Sequence, residues 1–179
     1  MTKHTQLESH HGILMRIAGY GVFIIGPAGI GKSSLALELI SQGHQLIADD
    51  IVEFSKCSTT ITGHCPPMLE GLLHTRELGL ISIPTVYGQK AWQAQQVVHV
   101  VVSLQENVKS DSVLTIKKEY SLLGQPFPLL TLSTNNPASL QHRIQCWLTM
   151  LSDNQHHAEN ELKQRQHDIM STINLRENS

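Results

Sequence analysis

Two adjacent side chains, Lys32 and Ser33, end a glycine-rich stretch whose spacing predicts phosphate chemistry. With Gly26 and Gly31 they match the phosphate-loop pattern G-x-x-x-x-G-K-S/T. Glycines let the backbone N–H groups of such a loop face an anion, because they accept φ values that a side chain disfavours. The lysine would reach the β- and γ-phosphates of a nucleotide, and the serine hydroxyl would bind magnesium. The candidate phosphate-binding residues are Gly26, Pro27, Ala28, Gly29, Ile30, Gly31, Lys32 and Ser33.

The elements on either side of this stretch support the interpretation, since the pattern has meaning only between a strand and a helix. Residues 22–25 form a short apolar run typical of a buried parallel strand. After Ser33, apolar residues recur at helical spacing, and Gly43 offers a C-terminal stop. The alternative is a chance match in a glycine-rich turn, and both flanks count against it.

Two neighbouring carboxylates, Asp49 and Asp50, follow the predicted strand of residues 45–48. Ligands of open α/β sheets gather at the carboxyl ends of strands, so we expect the pair to lie near the phosphate loop. Adjacent side chains of an extended segment point in opposite directions, so one aspartate can face the phosphates while the other faces elsewhere.

The composition bounds the class of protein. The chain has 179 residues, 40% of them hydrophobic, and a formal net charge of −2. That length suffices for one domain with a core. The lack of a basic excess argues against nucleic acid or an anionic membrane as the main partner. No apolar segment approaches the roughly 18 residues of a membrane helix.

The cysteines indicate a reducing compartment. Three cysteines do not make a disulfide framework, which favours free thiols and a cytoplasmic protein. Cys57, His64 and Cys65 could suggest a zinc site, but no second ligand pair has zinc spacing.

Short strands are predicted on both sides of the phosphate loop. Residues 1–11 are polar and predicted to be frayed at the start. Residues 13–17 read as a strand, and the turn at 18–21 makes a hairpin that leads into the loop. Residues 51–54 and 59–62 are predicted to form a surface hairpin.

The stretch of residues 63–88 combines turn residues with apolar ones. Two pieces, residues 69–73 and 78–83, look buried and enclose the polar residues 74–77. This polar island is either a solvated loop or a loop that faces the phosphates.

The second half of the chain predicts further strands and one helix. Residues 97–104 read as a strand buried on both faces, with His99 as a satisfied core histidine. Residues 113–118 and 128–132 are further predicted strands, and residues 136–151 a helix with one apolar stripe.

The predicted organisation is one domain, residues 1–151, followed by a polar tail, residues 152–179. The tail has too few apolar side chains for a core, so we expect a loose helix or disorder there, with a partner-binding helix as the alternative.

These residues together resemble a known family. The run GPAGIGKSSLALELISQGHQLIADDIVEF, which starts at Gly26, resembles the catalytic domain of HPr kinase/phosphorylase, which shares its GIGKS, ALEL and ADD blocks. The pair His11 and Gly12 precedes the loop at the family's distance, and LLHTRELGLISI, residues 72–83, resembles the family's second signature. The resemblance implies an α/β fold: a P-loop-containing mixed β-sheet core with flanking helices, similar to PEP carboxykinase.

The resemblance also implies an activity. Family members use ATP or pyrophosphate with Mg²⁺ to phosphorylate a serine of HPr, the phosphocarrier of the bacterial sugar phosphotransferase system. In the reverse reaction, phosphate attacks phosphoserine and releases pyrophosphate. By position, Asp50 would be the base for the serine hydroxyl, and the acid in reverse. The alternative is that Asp49 and Asp50 are a metal-binding pair without acid–base work. The implied catalytic residues are His11, Lys32, Asp50 and Arg76, and the candidate Mg²⁺ ligands are Ser33 and Asp49.

Three features depart from the family pattern. His74 stands where the family has a metal-binding glutamate, and Glu77 replaces a glycine, so Glu70 or Glu77 is left as a possible substitute carboxylate. Residues 133–137 align with an arginine-bearing loop linked to dephosphorylation but contain no arginine, which disfavours the phosphorylase direction. The chain resembles a short form without the separate N-terminal domain, and the resemblance implies a homo-oligomer, a hexamer in the family.

Three functions follow. The leading hypothesis is a cytoplasmic serine kinase of an HPr-type phosphocarrier. The second is a phosphate-loop kinase of another small substrate. The third is a degenerate nucleotide-sensing module, which His74 and the missing arginine favour and which Lys32, Ser33 and Asp50 oppose.

Overall fold

The structure is a computed structural model that describes residues 6–108, 118–152 and 164–165. The chain divides into two compact units between Ile144 and Gln145. Within the described residues, short strands outnumber helices, and two 3-10 turns lie at Pro67–Leu69 and Gln89–Ala91. The longer elements in chain order are β1 Gln6–His11, β2 Ile13–Ile17, β3 Tyr20–Ile25, α1 Lys32–Ser41, β4 Gln45–Ala48, β5 Ile51–Cys57, β6 Thr60–His64, β7 Leu72–Thr75, β8 Gly79–Ser82, α2 Ile83–Tyr87, β9 Gln95–Val97, β10 Val100–Gln105, β11 Glu119–Leu122, β12 Gln125–Ser133 and α3 Leu140–Ser152.

A six-stranded mixed sheet forms the centre of the first unit. Its strand order is β11-β12-β10-β3-β2-β4. The central strands β3, β10 and β12 are parallel, whereas β2 pairs antiparallel with both β3 and β4. Because β4 therefore runs in the direction of β3, the carboxyl ends of both strands lie at the same edge of the sheet. The mixed α/β fold class predicted from the sequence is confirmed, as is the β2–β3 hairpin that leads into the phosphate loop.

A second, four-stranded antiparallel sheet has the order β1-β5-β6-β9. The prediction of a frayed start is wrong for residues 6–11, which pair along their whole length with β5. The hairpin of β5 and β6 is confirmed, but its position at the surface is wrong, because Val52, Phe54 and Ile61 are buried. The ring of Phe54 packs edge-on against Phe23 of the central sheet at 4.9 Å, so this sheet closes the core from one side.

The chain passes between the two sheets at two neighbouring points. Gly12 separates β1 from β2, and Asp49 with Asp50 separates β4 from β5. The Gly12 N–H donates to the carbonyl of Asp50 over 3.1 Å, so the two crossings are tied together. His11 and Asp50 consequently come from distant parts of the sequence to one corner of the fold.

The hairpin of β7 and β8 forms a separate two-stranded sheet beside α1. Leu73 and Ile83 are fully buried, as the sequence predicts for apolar pieces here. The prediction of burial is wrong for Leu78 and Leu80, which are 67% and 63% exposed because they lie at the turn and on the outer face of the hairpin.

The predicted strand of residues 97–104 is interrupted. It is split into β9 and β10, and His99 between them is exposed rather than part of the core. The imidazole is nevertheless satisfied, since its Nδ1 accepts a hydrogen bond from the Gly21 N–H over 2.8 Å. The strand predicted as continuous therefore breaks at Val98 and His99, between β9 of the four-stranded sheet and β10 of the central sheet.

The third helix begins later than predicted. The side chain of Asn136 accepts a hydrogen bond from the Ala138 N–H, which forms a local turn and delays α3 until Leu140. The strand predicted at 128–132 lies within β12. That predicted at 113–118 lies, except for Lys118, outside the described residues, as does the predicted tail except for Ser152 and residues 164–165. In the described part of the chain, no helix is long and apolar enough to cross a membrane.

Candidate active site

The phosphate loop joins the carboxyl end of β3 to the first turn of α1. Gly26, Gly29 and Gly31 have φ values of 152°, 80° and 104°, in the region that favours glycine. Gly31 is the N-cap of α1, and no side chain caps the helix. The N–H groups of the first turn therefore remain available, and the helix directs its positive end to the same place. This geometry suits an anion.

Lys32 lies over its own loop. Its Nζ donates to the carbonyls of Gly26 at 2.8 Å and Pro27 at 3.0 Å. The ammonium is thus held at the loop rim, where a bound phosphate would compete with the two carbonyls for its protons.

Arg76 approaches the phosphate loop from the turn between β7 and β8. A Cβ atom on Gly29 would lie 2.7 Å from the Arg76 Nη2, so the guanidinium lies directly against this glycine. The lysine and the arginine therefore place two cationic groups on one loop. The polar island of residues 74–77 lines the same cavity as the loop, which favours the phosphate-facing alternative over the solvated one.

The two aspartates differ in burial, but they do not follow the predicted alternation of an extended segment, because Asp50 lies in a turn and both side chains line the cavity. Asp49 is buried, 7% exposed, and its Oδ2 accepts a hydrogen bond from the His74 N–H over 2.8 Å. Burial raises the pKa of the Asp49 carboxyl, and the backbone hydrogen bond from His74 opposes that rise. Asp50, by contrast, has a side chain that is 74% exposed.

Asp50 occupies a strained turn. The Ile51 N–H donates to the Asp49 carbonyl over 2.8 Å, which closes a three-residue turn with Asp50 at its centre at φ 66°. A positive φ is unfavourable for a side-chain-bearing residue and persists only where the surrounding structure enforces it. The turn directs the carboxylate outward, with its Oδ1 3.6 Å from the Nδ1 of His11.

These side chains line one cavity of about 1230 Å³. It brings together every predicted catalytic and metal residue, although Pro27 and Ile30 of the loop are not part of its lining. Residues 133–137, without the family's arginine, are not part of the lining either. The lining residues are His11, Gly12, Gly26, Ala28, Gly29, Gly31, Lys32, Ser33, Ser34, Leu37, Glu38, Ser41, Asp49, Asp50, His74, Thr75, Arg76, Glu77, Leu78 and Tyr87.

The donors around this cavity fit Mg²⁺ better than a transition metal. Among the described residues, no group of three or more His, Cys, Asp and Glu side chains could hold a metal ion by itself. Mg²⁺ needs no such cage, because it keeps several waters and binds through one or two carboxylates together with substrate phosphates. Ser33 and Asp49 supply oxygen donors beside the phosphate loop. Of the two substitute carboxylates left open by the sequence, Glu77 lines the cavity and Glu70 does not.

The proposed zinc alternative has no support in the structure. Cys57 is exposed, whereas Cys65 is buried. Burial raises the pKa of the Cys65 thiol to about 11, which favours the protonated thiol over the thiolate that zinc requires.

Sequence reasoning missed one wall of the cavity. Leu37, Glu38 and Ser41 of α1 and Tyr87 of α2 extend the lining beyond the phosphate loop. The sequence could have indicated the residues of α1, because Ser34, Leu37, Glu38 and Ser41 recur at intervals of three and four. They therefore share one face of the helix, which is not the face that is buried in the core. Tyr87 gave no comparable signal.

Comparison with known proteins identifies a family. The model of the HPr Serine kinase C-terminal domain matches residues 2–168. HPr kinase/phosphorylase of Bordetella petrii is 46% identical over 120 residues, which are 65% of this chain and 39% of the relative. The protein of the same name from Azoarcus sp. is 42% identical over 129 residues, 69% of this chain and 41% of the relative.

A solved structure agrees with the sequence matches. The Hpr(Ser) kinase/phosphatase from Coxiella burnetii superposes with a TM-score of 0.73 at 28% identity, over 81% of this chain and 99% of that chain. The chain spans about two fifths of the length of the curated relatives named above.

Proposed function

The chain belongs to the family of HPr serine kinase C-terminal domains, and we propose that it is an ATP-dependent kinase that phosphorylates a serine of an HPr-type phosphocarrier. One observation carries this proposal above the others. An exposed carboxylate, Asp50, shares a cavity with a glycine-rich anion-binding loop. A phosphoryl donor and a hydroxyl acceptor could therefore meet there.

In the proposed reaction, the serine hydroxyl of the carrier attacks the γ-phosphorus of ATP. The new bond joins the serine oxygen to phosphorus, the bond from phosphorus to the leaving ADP oxygen breaks, and its electron pair stays on ADP. The hydroxyl proton passes to the Asp50 carboxylate. The His11 Nδ1 lies 3.6 Å from the Oδ1 of that carboxylate, so the imidazole borders the site of proton transfer.

The cationic groups of the loop would stabilise the charge that develops on the transferred phosphoryl group. Lys32, Arg76 and the amino end of α1 converge on this region without rearrangement of the backbone. Ser33 and Asp49 would hold Mg²⁺, which when bound neutralises phosphate charge. Because a buried Asp49 favours the protonated state, a bound cation would also favour its ionisation.

The donor and the direction of the reaction deserve separate tests. Pyrophosphate could replace ATP at the same loop, since the groups gathered there, Lys32 and the amino end of α1, suit a phosphate group. Reverse phosphorolysis of phosphoserine is the less supported half, because residues 133–137 contain no arginine. Incubation of the phosphorylated carrier with inorganic phosphate, followed by assay of pyrophosphate, measures this half directly.

The primary test uses the purified chain with Mg²⁺, γ-labelled ATP and an HPr-type protein from the same organism. We expect label on a carrier serine, and we expect Asp50→Asn to abolish transfer while ATP affinity stays within a few-fold. The matched control is Glu119→Gln, which removes an exposed carboxylate on β11, away from the cavity lining, and should not change the rate. Transfer by Asp50→Asn at the parental rate would show that Asp50 is not the base.

Two other functions are outcomes of the same test. Tight ATP binding without transfer to any carrier would indicate a nucleotide-sensing module, an outcome that His74 in place of a carboxylate ligand favours. Transfer to a small metabolite instead of a carrier would indicate a phosphate-loop kinase of another substrate.

We further propose that the chain acts in the cytoplasm and assembles with copies of itself, as a hexamer by family resemblance. The support for a reducing compartment is the three free cysteines. Light scattering coupled to size-exclusion chromatography measures the assembly state, and a monomeric mass at micromolar concentration would contradict it.

A further inference from the structure

A short loop presents Arg76 to the phosphate loop. In the β7–β8 hairpin, Thr75 at the end of β7 pairs with Gly79 at the start of β8. The connection between them consists of residues 76–78 only. Gly79 has φ 72°, in the region that favours glycine. The conformation of this tight loop therefore sets where the Arg76 side chain begins.

The hydroxyl of Thr75 closes this loop from within. Thr75 is buried, 6% exposed, and its Oγ1 accepts a hydrogen bond from the Leu78 N–H over 3.1 Å. The same hydroxyl makes a longer contact of 3.5 Å to the Gly79 carbonyl, to which it donates. A side-chain oxygen that bonds the backbone three residues later stands in for the main-chain hydrogen bond of a turn. The hydroxyl is thus committed to the loop, although Thr75 is part of the cavity lining.

The strand before this loop is fixed to the same cavity. The His74 N–H donates to the Asp49 Oδ2 over 2.8 Å, which ties β7 to the residue that follows β4. Thr75 comes next in the chain, and its hydrogen bond to the Leu78 N–H spans Arg76. The backbone of Arg76 is therefore held by one hydrogen bond before it and by another across it.

The guanidinium of Arg76 has no acidic partner among the residues that the structure describes. The residue is exposed, and no carboxylate in that part of the chain forms a salt bridge with it. A long side chain of this kind has many rotamers, so an anchored backbone is needed to limit where its end can lie. The Arg76 Nη2 nevertheless lies against Gly29, where an added Cβ atom would be 2.7 Å away. The position of the guanidinium at the phosphate loop therefore depends on the conformation of its own loop.

We propose that Thr75 is a positioning residue for phosphoryl transfer: its hydroxyl holds the β7–β8 loop in the conformation that brings the Arg76 guanidinium to the phosphate loop. The inference rests on the proposed function, in which Arg76 stabilises charge on the transferred phosphoryl group. Thr75 acts through the arginine and does not touch the substrate. Two variants isolate the hydroxyl: Thr75→Val removes it but keeps the shape of the side chain, and Thr75→Ser keeps it but removes a methyl group.

ATP binding measures the effect without an acceptor protein. Dissociation constants are measured by calorimetry with Mg²⁺ present. Arg76→Ala removes a charge-assisted contact with phosphate and should weaken ATP binding about tenfold or more. Thr75→Val should weaken it about fivefold, the equivalent of one hydrogen bond, whereas Thr75→Ser should stay within about twofold of the parental value. The matched control is Thr60→Val, which should leave the affinity unchanged, because Thr60 is exposed at the start of β6 and is not part of the cavity lining.

A double variant distinguishes positioning from a general structural defect. If Thr75 acts through Arg76, Thr75→Val should change ATP affinity by less than about twofold in a protein that already carries Arg76→Ala. A defect that reached the cavity by another route would weaken binding by the same factor in both backgrounds. Equal factors would therefore overturn the proposal.

Hydrogen exchange tests the contact itself. The Leu78 amide should exchange about fivefold faster in Thr75→Val and at the parental rate in Thr75→Ser, because only serine retains the acceptor. Unchanged exchange at Leu78 in Thr75→Val would show that the hydroxyl does not close the loop.

The same variants separate this inference from the proposed function. If Arg76→Ala weakens ATP binding and Thr75→Val does not, the phosphate site stands and the role of Thr75 is refuted. If Arg76→Ala leaves the affinity unchanged, Arg76 has no role at the phosphates and Thr75 has nothing to position. A parental protein that does not bind ATP would refute the proposed function, and this inference with it.

Discussion

Replacement of Gly12 by alanine tests the idea that the two neighbouring sheet crossings hold His11 and Asp50 together at one corner of the cavity. A Cβ atom at this position would lie 2.5 Å from Cε2 of Phe23 and 2.7 Å from the carbonyl oxygen of Ile24. Neither neighbour can yield easily, because Phe23 is fully buried against Phe54 and Ile24 is part of a central strand. The chain at Gly12 must therefore move away from β3.

The magnitude follows from two contributions. Overpacking of a filled core costs about 1–3 kcal/mol. Loss of the hydrogen bond from the Gly12 N–H to the Asp50 carbonyl adds roughly 1 kcal/mol. We therefore expect Gly12→Ala to destabilise the protein by about 2–4 kcal/mol. Since 1 kcal/mol lowers the Tm of a chain of this size by roughly 2–4 °C, the Tm should fall by roughly 4–16 °C.

Thermal unfolding measured by calorimetry checks this value against Gly19→Ala. Gly19 has φ 88° and nothing within 4 Å of a Cβ atom, so alanine there costs only the dihedral strain, about 1 kcal/mol. Gly12→Ala should also slow phosphoryl transfer, because displacement of this crossing separates His11 from Asp50. A Tm for Gly12→Ala no lower than that for Gly19→Ala would refute the steric argument and the coupling of the two crossings.

Two further predictions concern ionisable groups. Asp49→Asn should raise the Tm at neutral pH, because burial raises the pKa of Asp49 and ionisation of this carboxyl in the folded state therefore costs stability. The gain in Tm should disappear as the pH falls below 3.8, the ordinary pKa of an aspartate. An unchanged Tm at pH 7 would contradict this prediction. The same variant should lose Mg²⁺-dependent transfer. His99 is exposed as a residue, but its ring is partly desolvated where the Nδ1 accepts the hydrogen bond from the Gly21 N–H, and this desolvation lowers the pKa of His99. The folded state therefore prefers a neutral imidazole, and stability should decline slightly as the pH falls below the ordinary value of 6.5. In His99→Gln the part of that decline due to His99 should vanish in Tm measurements between pH 7.5 and 5.5, and an identical decline in both proteins would rule this out.

Sequence patterns predicted correctly those elements whose structure depends on residues close together in the chain. The strand, loop and helix around Lys32 are short-range features, since glycine conformations, the helix start and the apolar periodicity are all set within a few residues. The hairpin of β2 and β3 was predictable for the same reason, from the turn at Gly19.

Errors arose where distant strands decide the outcome. Residues 6–11 contain no long apolar run, yet they form a full strand because β5 supplies the hydrogen-bonding partner. Leu78 and Leu80 look like core residues in the sequence but are exposed, since a two-stranded sheet has an outer face that nothing in the described residues covers. Composition cannot distinguish such cases, because the partner lies far away in the chain.

The sequence by itself determined the phosphate loop, the pair of aspartates after β4 and the family resemblance, because each depends on residue types at short fixed spacing. Tertiary structure alone decided that Gly12 and Asp50 cross between sheets side by side, that Arg76 lies against Gly29, and that Tyr87 lines the same cavity as α1. These relations join residues that are about 40 or more positions apart. They arise from sheet pairing and core packing, which act through space and leave no local pattern in the chain.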